Sequence, residues 1–255
     1  MAAGYALGAL GTSVDVILTN LGLMFVLVIP LMRWSTPTLL AAAALAATIG
    51  SFVARQASDR LDGMPAIEKL VSEHYPAIAW AAYVLVGMAI GKTDLRAPWK
   101  AFMLVWIGAL TAAGSYGAGI LCGGASPWSG VRAASAVGAT WASVAPHSNT
   151  SFEIIGNTGV ALVAIGMCVA TTRPSLGILP LLAFGSMSLT MYTAHVLIIA
   201  FVGGQIVWQP SNVALVAMTM VLIAAATVWR IAVGAGPLER VLTRASTAVA
   251  DALAR

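Results

Sequence analysis

The chain is organised as long apolar runs separated by polar breaks. Seven of these runs are long enough to cross a bilayer as helices, which takes about 17 to 25 residues. They predict helices over residues 14–32, 37–54, 76–91, 98–121, 152–171, 178–203 and 212–233. The connections at 33–36, 92–97 and 172–177 are short, whereas 55–75 and 122–151 are long. Alternating polar and apolar residues over roughly ten-residue segments, the mark of an outer-membrane barrel, are not seen. The predicted fold class is all-α: a polytopic integral membrane helix bundle of about seven transmembrane helices over residues 1–235. From Gly236 onward the chain is a polar tail. In it, Leu238, Val241, Leu242, Val249 and Leu253 recur at roughly helical spacing. That pattern suits an amphipathic helix resting on the bilayer or docking a partner.

Composition narrows the function classes. Only 9% of the 255 residues are charged and 60% are hydrophobic, against about 25% charged in a soluble domain. This excludes a soluble globular enzyme, a disordered chain and a free nucleic-acid-binding domain. The net charge of +4 comes from thirteen basic residues spread over the connections, where they serve as topology markers. Nine of them fall on one side: Arg33, Lys92, Arg96, Lys100, Arg173, Arg230, Arg240, Arg244 and Arg255. Arg55, Arg60, Lys69 and Arg132 fall on the other. The richer side is expected to be cytoplasmic, which puts the C-terminus inside the cell membrane and both long connections outside. Residue 1 then also lies outside with no basic leader, which points to a membrane segment preceding it. Cys122 and Cys168 lie at opposite ends of different runs, so neither a disulfide nor a metal site is expected. There is no Walker loop, dinucleotide-binding glycine motif, nucleophile elbow, voltage-sensor arginine ladder or potassium-channel filter.

Ionisable and amide groups inside a membrane are costly and tend to mark function. Asp15 and Asn20 lie at the outer end of the first run. His147 precedes the fifth run, and Glu153 and Asn157 follow on one helix face at i and i+4. Tyr192 and His195 share a face of the sixth, with His195 about 12 Å below its outer end at roughly 1.5 Å per residue. All of these map to the outer half of the bundle. His147 is the candidate base, because an imidazole accepts protons near neutral pH. Glu153 orients that imidazole, or else simply caps its helix together with Asn149 and Ser151. Asn157, Tyr192 and His195 are candidates for holding an acceptor or a developing oxyanion. Arg132, in the loop with His147, would hold an anionic substrate group or Glu153.

Several segments carry a resemblance. They are Pro146-His147-Ser148-Asn149-Thr150-Ser151-Phe152-Glu153 with Gly156-Asn157-Thr158-Gly159, then Gly185 to His195, and Gly236-Pro237-Leu238-Glu239-Arg240. Leu18 to Phe25 and Tyr83 to Gly91 belong to the same pattern. In this order they resemble YeiB-like bacterial membrane proteins, which are similar to heparan-alpha-glucosaminide N-acetyltransferase and belong with the transmembrane acyltransferases. The Ala- and Gly-rich style resembles actinobacterial members. The resemblance implies acyl transfer from a cytoplasmic acyl-CoA donor to an extracytoplasmic sugar or lipid acceptor of the cell envelope. Taken with the outer-half convergence, this order of motifs makes His147, Glu153 and His195 the expected catalytic residues, with Asn157, Tyr192, Arg132, Asn20 and Asp15 binding substrate. Expected partners are membrane lipids, the acceptor, and another membrane chain or a preceding segment; no nucleic acid and no metal are expected. Nothing here matches the Asp-x-x-Arg-Gly type segment with which members usually begin, so the chain reads as the C-terminal portion of that fold. A non-catalytic membrane subunit and a small-molecule or lipid transporter are the alternatives.

Overall fold

The computed structural model describes residues 2–12, 14, 16–58, 75–126, 141–171, 177–209 and 211–253. In these residues the protein is all-helical. In chain order the helices are α1 (Ala2–Gly8), α2 (Leu18–Val28), α3 (Thr36–Leu45), α4 (Ser51–Ser58), α5 (Ala77–Gly91), α6 (Pro98–Leu121), α7 (Ser151–Ala170), α8 (Leu179–Ser186), α9 (Ser188–Val202), α10 (Gln205–Trp208), α11 (Asn212–Ala232) and α12 (Pro237–Leu253). A 3-10 turn, Ile29–Arg33, prolongs α2, and a π-helical turn, Ala46–Gly50, joins α3 to α4. The chain forms two compact units. One is Ile17–Thr172; the other combines Ala2–Val16 with Arg173–Arg255.

Four helical segments among the described residues are long and apolar enough to cross a membrane: Thr36–Ala57, Pro98–Leu121, Ser151–Ala170 and Asn212–Ala232. Counting the bent pair α8 and α9 as one span gives five. The expected seven are not reached, and the reason is physical. Leu18–Arg33 and Ala77–Gly91 are apolar but shorter than a full crossing; fifteen residues rise only about 22 Å, against a core of about 30 Å. The expected helix over 178–203 is broken, with an 83° bend between Ser186 and Ser188. Gly185, Ser186 and Ser188 are weak helix formers at the break. Outward-facing Phe102, Trp106 and Leu110 on α6 are exposed, as lipid-facing positions are.

In the first unit α6 and α7 run antiparallel and almost touch. A Cβ added to Gly108 would lie 2.5 Å from the Gly159 carbonyl oxygen, and one on Gly159 would lie 2.5 Å from the Ala112 nitrogen. Gly166 meets the Ala101 carbonyl and Val105 in the same way, and Gly156 lies against the Tyr116 ring. Helices in lipid gain little from hydrophobic burial, so close backbone packing at small residues is what joins them. The α3–π–α4 helix docks on α5 by the same device, with Gly50 against the Ile78 carbonyl. Val28, Leu39, Ala43, Leu85 and Ala89 fill the space between α2, α3 and α5. At the far end of α5, the Lys92 ammonium donates to the carbonyls of Met32 (2.7 Å) and Trp34 (2.8 Å), tying α5 to the turn after α2.

The second unit packs α8, α9 and α11 around Ala183, Met187, Met191, Leu222 and Ala226. Two helices there cap one another. The Glu239 carboxylate accepts from the backbone N–H of Thr190 (3.0 Å) and from its hydroxyl, at the start of α9. The Thr190 Oγ1 in turn accepts from the backbone N–H of Leu238 (3.2 Å), at the start of α12. Partial burial works to raise the Glu239 pKa, but the Thr190 hydrogen bonds outweigh it and hold the carboxyl below its ordinary value.

The α6–α7 contact gives a direct test. Gly159→Leu should push backbones apart and destabilise the protein by about 1–3 kcal/mol, seen as earlier thermal unfolding in detergent. Gly114→Leu, on the same helix pair where no atom lies within 4 Å of an added Cβ, should leave the melting temperature in place.

Candidate functional site

The site grows from the start of α7. Thr150 is the N-cap: its hydroxyl oxygen accepts from the Glu153 backbone N–H at 3.1 Å. The cap is therefore Thr150, where Asn149 and Ser151 were expected. Thr150-Ser151-Phe152-Glu153 is a capping-box sequence, but its glutamate reaches further back than usual. Glu153 Oε1 accepts from the His147 backbone N–H (2.8 Å), and Oε2 from the Asn149 backbone N–H (2.6 Å) and the Ser148 hydroxyl (3.1 Å). Asn157 Nδ2 donates to Oε1 from one turn along the helix (3.4 Å). The carboxylate is 7% exposed. A buried carboxylate is stable only with its lone pairs engaged, and here the turn 147–149 engages them.

That engagement sets the turn's backbone. His147 (φ 63°) and Asn149 (φ 50°) both adopt the left-handed conformation, which costs a non-glycine residue roughly 1–2 kcal/mol. Beneath them Ala142 to Ala145 are buried. The Ser143 carbonyl accepts from the hydroxyls of Thr150 and Ser148, and the Val144 N–H donates to the Ala125 carbonyl.

Other helices hold the turn from outside. Arg55 of α4 donates to the Ser148 carbonyl (3.2 Å), and Trp80 Nε1 of α5 donates to Asn149 Oδ1 (2.9 Å). Tyr75 stands edge-on to Trp80 and to the His147 ring, with centroids 5.0 and 5.6 Å apart. Asn20, buried on α2, donates to the Tyr75 carbonyl (3.0 Å). The Tyr116 hydroxyl of α6 donates to Asn157 Oδ1, and the Tyr83 ring stands edge-on to Trp80 with centroids 5.2 Å apart. His147 itself is exposed at the outer edge of this network. A cavity of about 410 Å³ in the same unit is lined by Arg55, Gln56, Trp141, Thr150 and Ser151, with His147 outside its lining.

The first unit thus brings together four of the expected residues: His147, Glu153, Asn157 and, through Tyr75, Asn20. Tyr192 and His195 form a pair in the second unit, on α9, with ring centroids 5.7 Å apart. Asp15 and Arg132 lie outside the described residues. Tyr83, Tyr116, Trp80 and Arg55 were not singled out as site residues by the sequence. Aromatic residues are ordinary in apolar runs, and Arg55 counts equally well as a topology marker. Among the described residues no group of three His, Cys, Asp or Glu side chains could hold a metal.

Replacing Glu153 tests the arrangement. Glu153→Gln keeps the shape but turns an acceptor oxygen into a donor facing an N–H. Amide exchange at His147 and Asn149 should speed up by roughly ten- to a hundredfold, the loss of a charge-assisted bond, while amides in the middle of α7 stay protected. Unchanged exchange at both would show that Glu153 does not hold the turn.

Comparison with known proteins gives a match to one family over part of the chain. Residues 11–116 match the family described as heparan-alpha-glucosaminide N-acetyltransferase, catalytic. The match takes in Asn20, Arg55, Trp80, Tyr83 and Tyr116 of the site and stops before His147. No curated protein and no solved structure matches the chain. Over those residues, less than half of the chain, the protein is similar to this acetyltransferase family, and its membrane-length apolar helices are those of an integral membrane protein.

Proposed function

We propose that the chain takes part in moving an acyl group from a cytoplasmic acyl-CoA-type donor to a hydroxyl or amine of a sugar or lipid acceptor on the other side of the cell membrane. The observation that carries this reading is the Glu153-held turn, which displays His147 at an exposed edge, in a chain whose residues 11–116 match an acetyltransferase family. In this reading the His147 imidazole takes the proton from the acceptor hydroxyl or amine. The freed electron pair attacks the thioester carbonyl, the C–S bond breaks, and the proton passes to the departing thiolate. Glu153 is a positioning residue that fixes the backbone from which the imidazole projects. Asn157, oriented by Tyr116, offers an amide to the acceptor or the oxyanion.

Arg132 and Asp15 stay assigned to acceptor binding, and Tyr192 and His195 to positioning the acceptor or the developing oxyanion, on the sequence alone. The count of basic residues supports a cytoplasmic C-terminus, so the donor would be met on the side of Lys92, Arg96 and Lys100. The acceptor side makes an envelope glycan or lipid the natural substrate class.

The test uses the complete protein in proteoliposomes with acetyl-CoA and an amino-sugar acceptor. His147→Ala should lower kcat by roughly a hundred- to ten-thousandfold, the usual contribution of a general base, and leave KM for the donor near its original value. An alanine variant with undiminished kcat would remove His147 from the mechanism.

A further inference from the structure

The tail helix α12 plays no part in the site just described. At about 100° per residue, Leu238, Val241, Leu242, Ala245 and Val249 fall on one face of it. Arg240, Arg244, Thr247 and Asp251 fall on the opposite face. From Val241 to Ala252 every position is exposed, and Val241, Leu242 and Val249 are 63%, 61% and 59% accessible. A seventeen-residue amphipathic helix whose apolar face is exposed from Val241 onward needs a cover.

Where α12 begins says what that cover is. Only Val233–Gly236 separate it from α11, which is long and apolar enough to span the membrane. The end of α11 carries Trp229 and Arg230, the residue types that settle at the membrane–water interface. Trp229 Nε1 donates to the Ala235 carbonyl (3.1 Å), and the Arg240 guanidinium lies 5.9 Å from the Trp229 ring. Gly234 turns the chain with φ 96°, and an added Cβ at Gly236 would strike the Glu239 carboxylate. The mutual capping of Glu239 and Thr190 then locks the first turn of α12 against the start of α9. The helix is therefore launched from headgroup depth in a fixed direction. It presents an apolar face for the acyl boundary and arginines for phosphate headgroups.

We propose that α12 is a membrane-surface helix lying in the leaflet at which α11 ends. Its Val241–Leu242–Val249 face is sunk among the acyl chains, and Arg244 with Arg240 engages anionic lipid headgroups. The occupant of the apolar face is thus an anionic bilayer rather than a protein.

The experiment uses the full chain with Cys122→Ser and Cys168→Ser, reconstituted in phosphatidylcholine vesicles with or without phosphatidylglycerol. A fluorophore is placed at Val249→Cys or, on the opposite face, at Thr247→Cys. With phosphatidylglycerol present, the dye at 249 should be quenched by brominated lipid and shielded from iodide. The dye at 247 should be open to iodide. Arg244→Gln should lower the ratio of inserted to free helix by about fivefold, and omitting the anionic lipid should lower it further. Equal iodide quenching at both positions would overturn the proposal. So would shielding of position 249 from both quenchers, the signature of a protein partner or a second copy. Lipid quenching at 249 that ignores both Arg244→Gln and phosphatidylglycerol would overturn its anionic-lipid part.

Discussion

A single buried carboxylate organises the first unit. Glu153 sits in the first turn of α7, where the positive helix end favours an anion, and its oxygens gather the backbone of His147 and Asn149 and the Ser148 hydroxyl. Without those donors the charge would be buried and uncompensated, which proteins tolerate poorly. Without the carboxylate, two non-glycine residues would have no reason to hold positive φ. The two costs offset each other, and the result is a rigid turn with a histidine at its edge.

The turn is only as fixed as the helices around it. The glycine contacts of α6 and α7 bring their backbones together and set Tyr116 beside Asn157. The π-helical turn before α4 and the close approach of Gly50 to α5 align Arg55 and Trp80 on the same turn. In lipid, where apolar side chains gain nothing by leaving the solvent, such small-residue packing and interhelical hydrogen bonds do the joining. The same constraint explains why the outer face of α6 is left apolar.

Much of this was legible in the sequence, for identifiable reasons. The all-helical membrane class follows from the lack of charge, and Pro98–Leu121 and Asn212–Ala232 stand almost where the apolar runs put them, because length and a terminal Pro or Ser define them locally. The number of spans was not legible. Apolar runs do not reveal that α5 is too short for a straight crossing, or that the run over 178–203 bends by 83° at Met187 where Glu239, far along the chain, caps the new helix start. Within the site, His147, Glu153 and Asn157 were visible as polar residues near a helix start. The cap was expected on Asn149 and Ser151, one residue to either side of Thr150, although Thr150 and Glu153 stand at capping-box spacing. Arg55, Trp80, Tyr83 and Tyr116 were not legible, since their roles come from contacts dozens of residues apart and their types are common in membrane helices.

The most direct measurement is the movement of a labelled acetyl group. Vesicles carrying the complete protein would be loaded with labelled acetyl-CoA on the side of Lys92 and offered an amino sugar on the other. Label appearing on the sugar, and only with this sidedness, is the expected result. Intact thioester with no labelled sugar from a folded, correctly oriented protein, across amine and hydroxyl acceptors alike, would contradict the reading of this bundle as an acyl-transfer site.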